Sequence, residues 1–150
     1  MIRARDGLIY VVHLITRKIG VYHLEADGKL TQIDLISVPY PIDNLDIDSK
    51  GDIYAAGFPQ AYVHQEALDK GKPVNPPTAV FRISRKEKKG AEELKKRGGA
   101  IYRGGYVVEK IMEDDGGLLP ASTKAVHDPK TGRIFLSGIV SPFIAVCEPR

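Results

Sequence analysis

The chain lacks most of the features that announce a function directly. It holds one cysteine, Cys147, so no disulfide can form within it, and such a residue reads first as a small buried hydrophobe. No apolar run approaches the roughly 20 residues of a membrane-spanning helix. The opening MIRARDG, residues 1–7, is too short and too polar for a secretory leader. A net charge of +3 and a pI near 8.9 are too mild to argue for nucleic acid. Ser122, Thr123 and Ser141 lack the Gly-x-Ser-x-Gly elbow that exposes a serine nucleophile. No glycine-rich loop leads into Lys and Ser/Thr, as a phosphate cradle requires. His13, His23, His64 and His127 are scattered, with no pair at zinc-ligand spacing, and read as ordinary strand or loop residues. Covalent serine hydrolysis, nucleotide binding and structural zinc are all disfavoured.

What remains is an ordinary globular composition with a repeated pattern. The 150 residues are 43% hydrophobic and 27% charged, enough for one domain with a modest core. Three segments share a turn glycine, a strand carrying an aromatic and a further alternating strand: "RDGLIYVVHLITRKIGVYHLE", "SKGDIYAAGFP" with "TAVFRIS", and "KTGRIFLSGIVSPFIAVCEP". Gly7, Gly51 and Gly132 are each followed three residues on by Tyr10, Tyr54 or Phe135. The first two glycines are separated by the length of a four-stranded propeller blade, roughly 40–45 residues. Strand-turn-strand repeats without long amphipathic helices point to an all-β repeat fold, a β-propeller first and a sandwich second.

Residues 60–99 interrupt the pattern. "QAYVHQEALDKGKPVNPP" suggests a short helical turn and a proline-rich loop, and "RKEKKGAEELKKRGG" a charged, helix-capable stretch. Glutamates interleave its lysines and stacking aromatics are missing, so it reads as a solvated loop and not as a nucleic-acid surface. About two full blades and part of another are present, where propellers close with about 4–8. A single propeller domain of which residues 1–150 form the C-terminal part is therefore expected. The Asp6-Gly7 turn, with no evident strand before it, suggests the same.

Asp43 and Asn44 stand where the strand-like "LDID" begins. Such a pair either bonds its own backbone in an Asx-type turn or offers oxygens to a hard cation. Inner-strand ends converge on a propeller's channel, and calcium takes about 6–8 oxygen ligands. Asp46, Asp48 and Asp52 read as exposed-face or turn residues.

The stretch "IDNLDIDSKGDIYAAGFP" resembles the paraoxonase/arylesterase family, whose pattern is an Asp-Asn pair, a later Asp, then Gly-Asp, an aliphatic and an aromatic residue. Here these are Asp43, Asn44, Asp48, Gly51, Asp52, Ile53 and Tyr54. "STKAVHDPKTGRIFLSGIVSPFIAVCE" looks like that family's C-terminus, and "DGLIYVVHLITRKIGVYHLE" like the blade before the pair. Gluconolactonase-type propellers tend to carry Asp-Gly in place of Asp-Asn, so Asn44 tilts the resemblance toward paraoxonases.

The resemblance implies a six-bladed propeller with calcium in its central tunnel. It implies Asp43 and Asn44 as two ligands of a catalytic Ca²⁺, and Leu14, Phe58, Thr123 and Val140 at positions lining a substrate pocket. Phe58 stands where many members have a histidine. Cys147 matches a cysteine bonded, in that family, to one near the N-terminus. The family's other calcium ligands, a Glu and two Asn, and its water-activating histidine pair belong to earlier blades. The expectation is the C-terminal part of a calcium-dependent lactonase or arylesterase, acting on a small ester or lactone and inactive alone. The alternative is a non-catalytic propeller module whose face binds a protein partner.

Overall fold

A computed structural model describes residues 1–70, 75–86, 100–103, 105–119, 121–139, 141 and 143–149. Their strands form three antiparallel sheets that succeed one another along the chain. The first is β1 (Ile2–Arg3), β2 (Ile9–His13), β3 (Lys18–Leu24) and β4 (Leu30–Ser37) in that order. The second holds β5 (Ile42–Ile47), β6 (Ile53–Gly57), β7 (Thr78–Arg85), β8 (Ala100–Arg103) and β9 (Tyr106–Asp114), ordered β5-β6-β7-β9-β8. The third is β10 (Lys124–His127), β11 (Ile134–Ser137) and β12 (Ala145–Cys147).

Each sheet is a meander because turn chemistry separates alternating runs. Gly7, Gly51 and Gly132 have φ of 88°, 89° and 75°, a region that side chains disfavour. They turn the chain into β2, β6 and β11. A strand does precede the first of these turns: Ile2 pairs with Tyr10 and Arg3 with Ile9. Two residues are too few to show an alternation, which is why the sequence pattern hides β1. The helix α1 (Ala61–Lys70) is longer than the helical turn expected. Within residues 60–99, β7 is a central strand paired with both β6 and β9. The charged stretch at 87–99 lies outside the described residues.

The sheets pack face to face around two apolar seams. Tyr10, Ile19, Val21 and Ile36 of the first sheet meet Leu45, Ile53, Phe81, Ile83 and Val108 of the second. Tyr54, Ala56 and Val80 of the second meet Ala125 and Leu136 of the third. β5 lies centrally, with β1 and β2 on one side and β10 on the other. The expected all-β architecture is present as an open, propeller-like arc whose sheets do not close.

The repeated aromatic has the same orientation each time. Tyr10 reaches into the second sheet, its hydroxyl 3.0 Å from that of Tyr106. Tyr54 reaches toward the third, its ring stacked on His127 at 4.5 Å. Phe135 points out of the third sheet, 37% exposed, in a cross-strand row with Val126 and Val146. The corresponding row of the first sheet, Ile2, Tyr10 and Val21, is turned into the first seam.

Candidate functional site

The feature that singles out the middle of the arc is a bulge in β5. Ile42 pairs with Gly57 and Leu45 with Ala55, so Asp43 and Asn44 together face the single residue Ala56. Strict alternation would send neighbouring side chains to opposite faces. The bulge removes that alternation, and Asn44 Nδ2 donates to Asp43 Oδ2 at 3.0 Å. Ile42 and Leu45, three apart, are consequently both buried in the same seam. The other two irregularities place an extra Ile33 on β4 and an extra Ile111 on β9, both exposed. Among the described residues, only in β5 does the extra residue belong to a polar pair.

Asn44 also donates to the Thr123 carbonyl at 3.3 Å, tying β5 to the segment that enters β10. That segment is held closely. Ala121 adopts φ 53°, its N–H donates to Pro76 O, and Ser122 N–H donates to Thr78 Oγ1 at 3.0 Å. A Cβ on Gly138 would lie 2.0 Å from the Ala121 carbonyl oxygen, so only glycine permits this approach.

Beside the pair lies a cavity of about 350 Å³, within the size range of small-molecule sites. All three sheets contribute. Leu14 and Ile15 come from the β2–β3 turn, Phe58 from the end of β6, and Ile139 from the β11–β12 loop. The helix adds Ala61, His64, Gln65 and Leu68, whose spacing places them on one helical face. Asp43 and Pro41 complete the lining.

Of the residues expected around a site, Leu14, Phe58 and Asp43 line this cavity. Thr123 is buried and acts through its carbonyl on Asn44. Val140 lies outside the described residues. Cys147 is free and half-buried, with Sγ 3.9 Å from Met112 Sδ, and burial raises its thiol above the usual range.

His64 is the residue the sequence pattern passes over. It is 7% exposed, stacks on Phe58 at 4.2 Å, and its buried Nδ1 has no hydrogen-bond partner among the described residues. Burial pushes the imidazole below its ordinary value, against a smaller opposing pull from the Asp43 charge. A lone histidine on a short helix belongs to no motif, so only the fold reveals it.

Asp48 was expected as an exposed-face or turn residue. It does shape the turn, accepting from Lys50 N–H at 2.8 Å and Asp52 N–H at 3.1 Å, but it is buried. Its other oxygen meets His127 Nδ1 at 2.8 Å. The reason is packing of the third sheet over the β5–β6 turn, a contact between residues 79 apart in sequence.

Asp43 and Asn44 offer a carboxylate and an amide oxygen on one side of β5, both residues being exposed. These are ligands of the kind calcium takes, yet two fall well short of the roughly 6–8 it needs. Among the described residues no group of three or more His, Cys, Asp or Glu side chains converges to hold a metal. The pair fits part of a calcium shell and not a whole one. No described helix is long and apolar enough to cross a membrane. No family model matches the chain, and no curated protein matches it either.

Proposed function

We propose that this chain forms an arc of a calcium-dependent lactonase or arylesterase of the paraoxonase kind, contributing Asp43 and Asn44 to a calcium shell completed from outside the arc. The observation that carries the reading is the polar bulge in β5, the edge strand that lies between the first and third sheets, beside an apolar cavity. When bound, calcium supplies Lewis-acid polarisation of an ester carbonyl and stabilises the developing oxyanion. Thr123 fixes Asn44 through its carbonyl, so the amide oxygen is left to face away from that bond. Leu14, Phe58, Leu68 and Ile139 exclude water from the acyl or aryl group of a small ester. The outward row of Val126, Phe135 and Val146 is the face on which a further sheet would pack.

The experiment is a calorimetric titration of the chain with Ca²⁺, with lactone and phenyl-ester assays in parallel. Two ligands predict weak binding, with Kd of about 10⁻⁴–10⁻³ M or weaker, lost in Asp43→Ala, and no turnover. Identical titrations for the wild type and Asp43→Ala would overturn the ligand assignment. Micromolar affinity with turnover would overturn the claim that the shell is incomplete. A protein-binding module is the second reading, favoured by the same exposed apolar row. It predicts that Phe135→Ser abolishes partner capture while Asp43→Ala leaves it intact.

A further inference from the structure

His64 is buried in a cavity whose other walls are largely apolar, and nothing in the proposed metal chemistry uses it. Leaving a buried ring nitrogen unpaired costs about 1–3 kcal/mol, and native interiors seldom tolerate this without a reason. One face of the ring is covered by Phe58, stacked at 4.2 Å, and Nδ1 is closed off, so a guest in the cavity meets the ring at its other nitrogen, Nε2. The helix presents Ala61, Gln65 and Leu68 on the same face, holding the ring against the cavity. The Asp43 carboxylate at the lining disfavours an anionic guest. Leu14, Phe58 and Ile139 favour a hydrocarbon body.

We infer that His64 is the polar anchor of this cavity, and that the cavity takes an uncharged molecule with an aromatic or alicyclic body and one hydrogen-bonding oxygen. Burial keeps the imidazole neutral near neutral pH, since its value is lowered. A neutral ring accepts at one nitrogen and donates at the other, so a hydroxyl or a carbonyl can be matched by the choice of tautomer. The inference shares its cavity with the proposed function but needs neither calcium nor hydrolysis.

The test uses the full chain in metal-free buffer, with phenol, acetophenone and ethylbenzene as probes of similar body and different polar group. Ring-nitrogen NMR of the four histidines follows each titration, with His64→Phe assigning the His64 signal. Phenol or acetophenone should shift the His64 nitrogens and bind at least about tenfold tighter than ethylbenzene, the factor one satisfied buried hydrogen bond supplies. In His64→Phe, which keeps the stacking, the three affinities should converge. The wild-type comparison stands even where that variant does not fold. Equal wild-type affinities with unmoved His64 signals would overturn the inference, as would the absence of saturable binding by every probe. Neither result bears on calcium affinity, which the Asp43→Ala titration reads separately.

Discussion

The two seams between the sheets are made of different material. Among the described residues, the first joins fourteen buried ones, most of them large aliphatics or aromatics such as Ile19, Ile36, Ile53 and Phe81. The second has a buried apolar cluster of five, two of them alanines. Directional bonds cross both: Tyr10 to Tyr106 and Arg85 to Asp6 in the first, and in the second Lys124 Nζ to Leu45 O at 2.6 Å and Asp46 at 3.1 Å, His127 to Asp48, and Asn44 to Thr123, so the second leans on them more heavily. Hydrophobic burial holds surfaces together without caring about small slides. Hydrogen bonds do care, because they weaken steeply with distance and angle. The first seam therefore supplies most of the adhesion, and the second depends chiefly on its bonds to hold the register that brings loops of three sheets around one cavity.

The largest test of this contrast is Phe81→Ala. Phe81 is fully buried in the first seam, beneath the Tyr40 ring. Its truncation should cost about 3–5 kcal/mol in denaturant unfolding, with little change in whatever the cavity binds until the fold itself melts. A loss under 1 kcal/mol would show that the first seam is not the adhesive one.

Asp48→Ala attacks the second seam. It removes the acceptor of two backbone N–H groups and the partner of His127, and should cost about 2–3 kcal/mol. A double-mutant cycle with His127→Ala should give a coupling of about 1 kcal/mol or more. Additive single effects would reduce the Asp48–His127 contact to a bystander.

Asp114 tests the edge of the same seam. Burial alone would raise its carboxyl, but bonds from Leu119, Gly116 and Leu118 N–H outweigh that and hold it below 3.8. The folded value lies below the unfolded one, so the stabilisation is complete above the unfolded value and disappears as pH falls through the folded one. Asp114→Ala should cost about 1–2 kcal/mol at pH 7, and the gap between variant and wild type should close in strong acid. A gap independent of pH would assign the effect to something other than the carboxylate.

The smallest expected change sharpens the comparison most. Deleting Asn44 would pair Asp43 with Ala56 and leave Ile42 and Leu45 buried in an unbroken ladder. Stability should change by less than about 1 kcal/mol, while calcium response and the tie to Thr123 vanish. A large loss of stability would mean that the bulge itself supports the second seam.

The architecture was readable because its signals are local. Gly7, Gly51 and Gly132 occupy backbone conformations that exclude most other residues, and the aromatic three positions later recurs with its orientation preserved. The site was readable only in part. Asp43 and Asn44 adjoin in sequence, and the odd spacing of Ile42 and Leu45 already demands a break in alternation. His127 and Asp48 are brought together only by sheet packing. His64 is placed by a helix whose apolar face is short and interrupted by Gln65, so neither its burial nor its stacking on Phe58 is visible in the pattern around it.

The arithmetic of β5 reaches beyond the bench. Loss of one in-frame codon at position 44 would leave a more regular strand but remove the Asn44 tie to Thr123. The strand ladder does not require the acid–amide pair, whereas under the proposed function the metal does.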